Sequence, residues 1–204
     1  MGKEFVILTD DELVQEIKKG SRKAFSEIVK RHQKSLLRMS LRFVKDLDVA
    51  EDIVQESFIK AYEKLNAFEG RSSFKSWLFQ IAVNTAKNKL RERKRITTDI
   101  DSVQLAVGAV AETSLVYTAL SQEIQDEIDR LPTKQRTALI LRVYEDLSFK
   151  EIADIMECPY DTAKANYRHA LMKLKDSFEQ RSDLKMMESF GGFFSEVAYS
   201  VEVE

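Results

Sequence analysis

The 204-residue chain is poor in the residues that usually cross-link, interrupt or anchor a protein. A single cysteine excludes an intramolecular disulfide and fits a reducing compartment. Two prolines and six glycines make a fold built from long loops unexpected. No apolar run reaches the length of about 18 residues that a membrane span needs. The short apolar stretch near the N terminus is followed at once by acids, unlike a signal peptide. We therefore expect a cytoplasmic protein.

Constellations that perform catalysis are also missing from the sequence. The two histidines, His32 and His169, lie in different parts of the chain, and neither a metal-binding HExxH or CxxC motif nor a glycine-rich phosphate loop occurs. Cys158 has no neighbouring base in the sequence, which makes it a weak candidate nucleophile. We expect no enzymatic activity, no catalytic residue, no metal or other cofactor, and no small-molecule substrate.

Charge is distributed unevenly along the chain, although the net charge is only −2. Residues 1–95 contain 21 Lys and Arg against 14 Asp and Glu, whereas residues 96–117 contain three acids and no base. Residues 118–181 carry a net charge of −2 and residues 182–204 one of −4. A basic front half followed by acidic segments predicts that the front half binds a polyanion.

Helical periodicity dominates the sequence and predicts an all-α protein with two small domains. The first spans residues 1–95 and the second residues 118–181, joined by a flexible acidic linker at 96–117 in which the periodicity fails. Residues 182–204 form a C-terminal extension of unknown role. Our hypothesis is that its apolar side chains dock on this chain or on a partner, namely Met186, Met187, Phe190, Phe193 and Phe194.

A helix that begins near Asp48 carries acidic and amide side chains on one face. Its other face is apolar and suits a core, so the polar face is available to a protein partner. A charged face of this kind is also often only solvated, and the sequence alone leaves both interpretations open.

The next helix, expected to begin near Ser73, separates into an apolar arc and a polar, basic arc. Trp77 falls on the polar arc together with Asn84, Asn88 and Arg91. A lone tryptophan is more often a core residue, but its position among these side chains favours contact with DNA, where aromatic rings stack on unpaired bases within a cationic groove. Phe74 and the preceding loop, residues 70–73, could shape a pocket for an extruded base.

A two-turn helix, a tight turn at residues 157–159 and a longer helix after it are typical of a helix-turn-helix. In the second of these helices Lys164 and Arg168 point away from the apolar stripe, as phosphate or base contacts require. Tyr167 falls on the apolar stripe and is expected in the core. An ordinary helical hairpin would show much of the same pattern, so it remains an alternative.

Two long segments carry a family resemblance: VAEDIVQESFIKAYEKLNAFEGRSSFKSWLFQIAVNTAKN and LPTKQRTALILRVYEDLSFKEIADIMECP. In this order they resemble the extracytoplasmic-function (ECF) sigma factors of the sigma-70 family, in particular the σE-like type, over about residues 9–180. The resemblance implies that the first domain, residues 1–95, is the family's region 2, which binds the β′ coiled coil of core RNA polymerase and opens the −10 promoter element. It implies that the second domain, residues 118–181, is region 4, which binds the β flap of polymerase and reads the −35 element.

Taken with the helical faces, the resemblance implies three sets of site residues. The polymerase core-binding set is Asp48, Glu51, Asp52, Gln55, Glu56 and Tyr62. The −10 DNA-binding set is Arg71, Ser72, Ser73, Phe74, Trp77, Asn84, Lys87, Asn88 and Arg91. The −35 DNA-binding set is Thr162, Lys164, Ala165 and Arg168.

The family also implies partners and a place of action. We expect a monomer when free, nucleoid association when active, a role in stress responses, and an anti-sigma factor that would hold the protein inactive, in some cases at the membrane. Ala165 and Asn166 depart from the more basic pattern of many members, which predicts weak binding of isolated region 4 to DNA. The alternative function is a stand-alone helix-turn-helix regulator that binds duplex DNA without polymerase.

Overall fold

The computed structural model describes residues 5–96 and 124–180. Within these two stretches the chain forms helices joined by turns and contains no strand, which confirms the all-α prediction. The predicted linker beyond Ile96 and the C-terminal extension at 182–204 lie outside the described residues. No helix in the described part of the chain combines the length and the apolar character that crossing a membrane requires.

The first unit, residues 5–96, is built from four α-helices and two 3₁₀ turns. In chain order they are the 3₁₀ turn Phe5–Ile7, α1 (Asp10–Lys18), α2 (Arg22–Val44), α3 (Leu47–Lys64), the 3₁₀ turn Leu65–Ala67, and α4 (Phe74–Ile96). The helices begin where a side-chain oxygen can accept a bond from a free backbone N–H. Thr9, Ser21, Asp46 and Ser73 act in this way at the starts of α1, α2, α3 and α4.

The core of the first unit lies around α2, which packs against α1, α3 and α4. Each helix contributes the apolar residues that recur on one face, and among those that are fully buried are Leu13, Ile28, Leu36, Ile53, Leu78 and Phe79. Burying a side chain of this size stabilises a fold by about 1.5–3 kcal/mol. The opposite face of α3 is thereby left for contacts with other molecules, whereas α4 also packs against the second unit.

The second unit, residues 124–180, is a bundle of helices around a helix-turn-helix. Residues 124–130 are helical and are called α5 here; α6 (Thr133–Glu145), α7 (Phe149–Met156) and α8 (Tyr160–Gln180) follow. Ser148 and Glu151 form a capping box at the start of α7, as their spacing predicts. Glu157 ends α7 in the left-handed conformation, with φ 52°, and turns the chain into α8.

Candidate protein and nucleic-acid interfaces

The polar face of α3 is open to solvent, and it includes most of the residues predicted to bind polymerase. Asp48, Glu51, Asp52 and Gln55 are all exposed. Tyr62 is 48% exposed, and its ring lies edge-on against Phe25 with 4.8 Å between centroids. An acidic face with an aromatic ring at its end suits a basic protein partner.

Glu56 differs from the other acids of this face because it is already paired within the chain. Its carboxylate lies 2.6 Å from the Lys60 ammonium and 3.7 Å from that of Lys89 on α4. The hydrogen bond from Lys60 is the main cause that lowers the pKa of Glu56. Its charge is therefore partly neutralised before any partner arrives.

Ile59 belongs to the same face and was missed by the sequence reasoning. It is 58% exposed, one turn after Gln55 and one turn before Tyr62. An isoleucine among polar positions could have pointed to it. An exposed apolar residue beside carboxylates is typical of a protein-binding surface.

Part of the predicted DNA-binding set surrounds a cavity in the loop before α4. This cavity, called the loop cavity below, has a volume of about 290 Å³, and its lining residues are Ala67, Phe68, Glu69, Arg71, Ser72 and Trp77. Arg71 is strongly exposed and pairs with Glu69 at 2.6 Å. The cavity brings together an aromatic ring, a guanidinium and a hydroxyl, which are groups that hold an unpaired base.

Trp77 lies at the boundary between core and surface. Its ring is partly buried against Phe68 and Phe74, at centroid distances of 5.0 and 5.8 Å, and it lines the loop cavity with the rest of its surface. The sequence posed core packing and DNA contact as alternatives for this residue. The geometry allows both at once.

Phe74 and Ser73 support the loop cavity instead of lining it. Phe74 is only 1% exposed and packs beneath Trp77, against Phe68 and the ring of His32. Ser73 accepts the N-terminal hydrogen bond of α4 from the Ser76 N–H. A direct contact of the Phe74 ring with DNA, expected from the sequence, is therefore replaced by a supporting role because its ring lies within the core.

Asn84 and Lys87 lie on α4 two turns and more beyond Trp77, next to the second unit, where Asn84 is exposed and Lys87 is half-buried. The Glu157 carboxylate accepts hydrogen bonds from Gln80 Nε2 at 2.8 Å and from Asn84 Nδ2 at 3.5 Å. Burial lowers the pKa of Lys87, and the nearby Glu157 carboxylate opposes this shift. The predicted DNA-reading face of α4 is thus in contact with the turn of the helix-turn-helix.

Two further residues of the −10 set, Asn88 and Arg91, lie near the end of α4. Both are exposed, and Arg91 Nη2 donates to Asn88 Oδ1 over 3.4 Å. The single face predicted from the helical wheel therefore has three environments: a cavity, a segment in contact with Glu157 of the second unit, and an exposed basic end.

The contact between the two units is basic on one side and acidic on the other. Lys45 pairs with Asp129 and lies 3.8 Å from Asp126. Arg42 stacks over the ring of Tyr144, with 3.6 Å between the guanidinium carbon and the ring centroid. The basic first unit, which the sequence predicts to bind a polyanion, thus meets an acidic surface of its own chain.

Glu145 lies buried within this contact. Burial raises the pKa of its carboxyl group, while Arg38, Lys75 and Arg42 from the first unit act in the opposite direction. The Lys75 ammonium also donates to the Glu145 backbone carbonyl at 3.5 Å. Cations of the first unit thus compensate in part for burying an acid of the second.

The helix-turn-helix presents its predicted DNA contacts to solvent. Thr162, Ala165 and Arg168 are exposed on α8, and Lys164 is half-buried with its ammonium 5.9 Å from the centroid of the Phe149 ring. Tyr167 is 1% exposed, which confirms its expected place in the core, and burial raises its pKa to about 12. The outer face of α8 therefore carries the exposed polar and cationic side chains that the sequence predicted to contact DNA.

The described residues contain no cluster of three or more His, Cys, Asp or Glu that could bind a metal ion. Burial raises the pKa of the Cys158 thiol, which disfavours the reactive thiolate. The surfaces described above are suited to binding other molecules.

Comparison with known families matches both units of the chain. Residues 28–96 match the family described as Sigma-70 region 2, and residues 121–174 match Sigma-70, region 4. The ECF RNA polymerase sigma-E factor of Salmonella typhimurium is 41% identical over 169 residues, covering 78% of this chain and 88% of that protein. The corresponding factor of Haemophilus influenzae is 37% identical and covers 84% of this chain and 96% of its own length.

Other known proteins resemble the chain in sequence or fold. The RNA polymerase sigma-H factor of Pseudomonas aeruginosa is 37% identical, over 76% of this chain and 86% of that protein. The sigma factor RpoE of Bartonella quintana, solved in complex with the anti-sigma factor NepR, superposes with a TM-score of 0.61 at 27% identity, over 77% of this chain and 98% of that one. CnrH, solved with the cytosolic domain of CnrY, has a TM-score of 0.65 at 20% identity, over 85% and 99%, and shares the fold.

Proposed function

Because the chain belongs to the sigma-70 family, among the σE-like ECF factors, we infer that it is an alternative sigma factor that initiates transcription with core RNA polymerase. The observation that carries this function is the presence of region 2 and region 4 in one chain and in the family's order. A stand-alone duplex-binding regulator would account for the helix-turn-helix alone and is not favoured. We assign residues 1–95 to region 2, 96–117 to the linker and 118–181 to region 4.

We propose that the exposed face of α3 binds the β′ coiled coil of polymerase. Asp48, Glu51, Asp52 and Gln55 are free to contact basic side chains, and Ile59 and Tyr62 add apolar area. A polar rim around an apolar centre is the usual composition of a protein interface. Glu56 has the smaller share in this contact because Lys60 and Lys89 already pair with it.

We propose that the loop cavity receives an unpaired base of the −10 element. Trp77 offers a stacking surface, and Arg71 and Ser72 offer donors at its rim. Stacking on an aromatic ring stabilises a single-stranded base by about 1–3 kcal/mol. This is comparable to the few kcal/mol that flipping a base out of the duplex costs, so melting would proceed without a nucleotide cofactor.

Reading of the −10 strand by α4 would further require the two units to separate. The Glu157 carboxylate lies against this face and would repel a phosphate there, since it accepts a bond from Asn84 and acts on the half-buried Lys87. We propose that the arrangement seen here is the closed form of the free protein, and that polymerase and promoter bind an open form. In the open form region 4 would bind the β flap and present Thr162, Lys164, Ala165 and Arg168 to the −35 element.

An anti-sigma factor is a further proposed partner. The similar sigma factor of Bartonella quintana was solved bound to one. Such a partner would keep this protein inactive in the compartment that contains RNA polymerase, and the free protein would be a monomer.

Run-off transcription against a randomised promoter library tests the function directly. Core polymerase alone should be silent, and addition of the full chain should select transcripts that share spaced −35 and −10 elements. Tight binding of the protein alone to duplex DNA, with core polymerase remaining silent, would overturn the assignment and favour the stand-alone regulator.

A further inference from the structure

We propose that Lys18 is a positioning residue for base recognition: its ammonium holds the Phe68 carbonyl, and with it the wall of the loop cavity. The inference rests on the proposed function, because it takes the loop cavity as the site of an unpaired promoter base. It adds α1 to the residues that make this site.

Lys18 is the last residue of α1, and its Nζ donates to the Phe68 carbonyl oxygen at 2.8 Å, across 50 positions of sequence. Lysines in the last turn of a helix ordinarily interact with the end of their own helix. The adjacent Lys19 follows this pattern, since its ammonium pairs with Glu16 of α1 at 3.0 Å. The two neighbouring lysines therefore have different structural roles.

The carbonyl that Lys18 binds lies where the chain enters the loop cavity. Phe68 follows the 3₁₀ turn, and its own N–H donates to the Leu65 carbonyl at 3.1 Å. Its ring packs against Trp77 on the facing wall, with 5.0 Å between centroids. A bond to the Phe68 carbonyl fixes the direction in which Glu69 and the rest of the rim leave this wall.

Helix α1 is a rigid support for this bond. Leu13, Val14 and Ile17 are buried on its inner face. At its other end Asp10 accepts a 3.0 Å bond from Arg31 and lies 2.7 Å from His32 Nε2 on α2. Because α1 is held along its inner face and at its first residue, the backbone that carries Lys18 is fixed before any ligand binds.

The ring of His32 connects this support with the Phe74 ring, which lies behind the cavity lining. It lies 6.1 Å from the Phe74 ring, which packs beneath Trp77. Helix α1 lies before residues 28–96, the stretch that matches region 2, so the family match does not include this support. Phe68 in the wall of the loop cavity is thus held from α1, and the Phe74 ring that supports Trp77 is held from α2.

The single tryptophan of the chain makes the test direct, because Trp77 lines the loop cavity. Its fluorescence is followed while full-length protein is titrated with short deoxy strands of oligo-adenylate, oligo-thymidylate and oligo-cytidylate. An abasic strand of equal length serves as the probe that has phosphates without bases. Lys18→Met is compared with Lys19→Met, which removes the same charge from the next residue.

We expect Lys18→Met to weaken base-dependent quenching about three- to tenfold relative to Lys19→Met, as partial loss of stacking would do. Binding of the abasic strand should change equally in the two variants, and Lys18→Arg, which keeps a donor, should restore the wild-type affinity. Far-UV circular dichroism checks that the helices are intact, and Lys18→Leu, which also has no donor, replaces Lys18→Met if they are not.

Equal base-dependent affinities of Lys18→Met and Lys19→Met would overturn the role of Lys18 and leave the base site in place. Wild-type quenching that is the same for abasic and base-containing strands would overturn both the base site and the role of Lys18. Promoter-specific transcription by the holoenzyme, measured in parallel, would show whether the sigma function itself still holds.

Discussion

Glu157→Lys should open the closed form and increase the affinity of the free protein for a single DNA strand. Glu157 is the residue of the second unit that bonds to both Gln80 and Asn84 on the proposed DNA-reading face. Glu157 ends its helix in the left-handed backbone conformation. Lys45, the residue that ends α2, has the same conformation, with φ 54°. Lysine is therefore compatible with the helix end, and the change acts on the side-chain contacts.

The magnitude follows from the two hydrogen bonds and the neighbouring charge. A hydrogen bond to a charged group contributes about 1.5–3 kcal/mol to stability when it is buried. The bond from Gln80 to the exposed Glu157 carboxylate contributes less, about 1 kcal/mol. The 3.5 Å bond to Asn84 adds little. Repulsion between the new ammonium and Lys87 adds about 0.5 kcal/mol. The total of about 1.5 kcal/mol shifts the closed-to-open ratio roughly tenfold.

Two measurements report the opening. Small-angle scattering of the free protein should show a larger radius of gyration in Glu157→Lys, and the Trp77 titration with single-stranded DNA should show higher affinity. Asp154→Lys is the matched control, because it makes the same charge change at an exposed position of α7, three residues away. Both variants gain nonspecific attraction to phosphates, so only the difference between them reports opening.

Equal radii of gyration and equal DNA affinities in Glu157→Lys and Asp154→Lys would refute this reasoning. Salt offers a second check. Because the contact pairs Lys45 with Asp126 and Asp129, and these side chains are at least partly exposed, rising ionic strength should expand the wild-type protein. A radius of gyration that stays unchanged as the ionic strength rises would show that charge does not hold the two units together.

Three further predictions concern other surfaces. Asp52→Arg should weaken binding to core polymerase at least tenfold in a pull-down titration and leave single-strand binding unchanged. Trp77→Ala and Asn84→Ala should impair promoter opening, measured by permanganate reactivity, more than they impair core binding. The opposite pattern would exchange the two assignments. Burial raises the pKa of Glu145, so stability from its protonated form is present at low pH and is lost as pH rises through the folded pKa. The melting temperature of Glu145→Gln minus that of wild type should therefore increase with pH, and a constant difference would contradict this. A hydrogen bond from His32 is the main cause that lowers the pKa of Asp10. The stability that the ionised Asp10 carboxylate contributes is therefore present above the ordinary carboxyl pKa, and it is lost as pH falls through the pKa of Asp10 in the folded protein. Asp10→Asn should cost about 1–2 kcal/mol in urea unfolding at pH 7 and less near pH 3, whereas an equal cost at both would be inconsistent with it.

Local signals in the sequence were sufficient for the helices and their ends. Thr9 with Glu12 and Ser148 with Glu151 form the capping boxes that their spacing predicts, because a capping box involves only residues three positions apart. Periodicity likewise placed Tyr167 in the core of the second unit. The same helical periodicity predicts that the acidic residues of α3 are exposed, because they lie opposite its apolar face.

The same periodicity was less informative where a loop or another unit approaches a helix. Phe74 is at the first position of α4, and its depth depends on how the 3₁₀ turn brings Phe68 back over it. Trp77 is on the polar arc of the wheel, yet it is half-covered by the same loop. A helical wheel contains no information about such neighbours, so it posed core packing and DNA contact as alternatives for Trp77, and the loop pattern that placed Phe74 at a base pocket did not show its depth.

The sequence by itself determined the helices, the two-region organisation and the family, because these depend on residue types at short and regular spacings. Only the tertiary structure decided which parts of the predicted DNA surface are available. Asn84 is separated from Glu157 by 73 positions, and Lys18 from Phe68 by 50, and both pairs are in contact. Contacts of this kind depend on how preformed helices pack in three dimensions, and no local pattern in the chain encodes that packing.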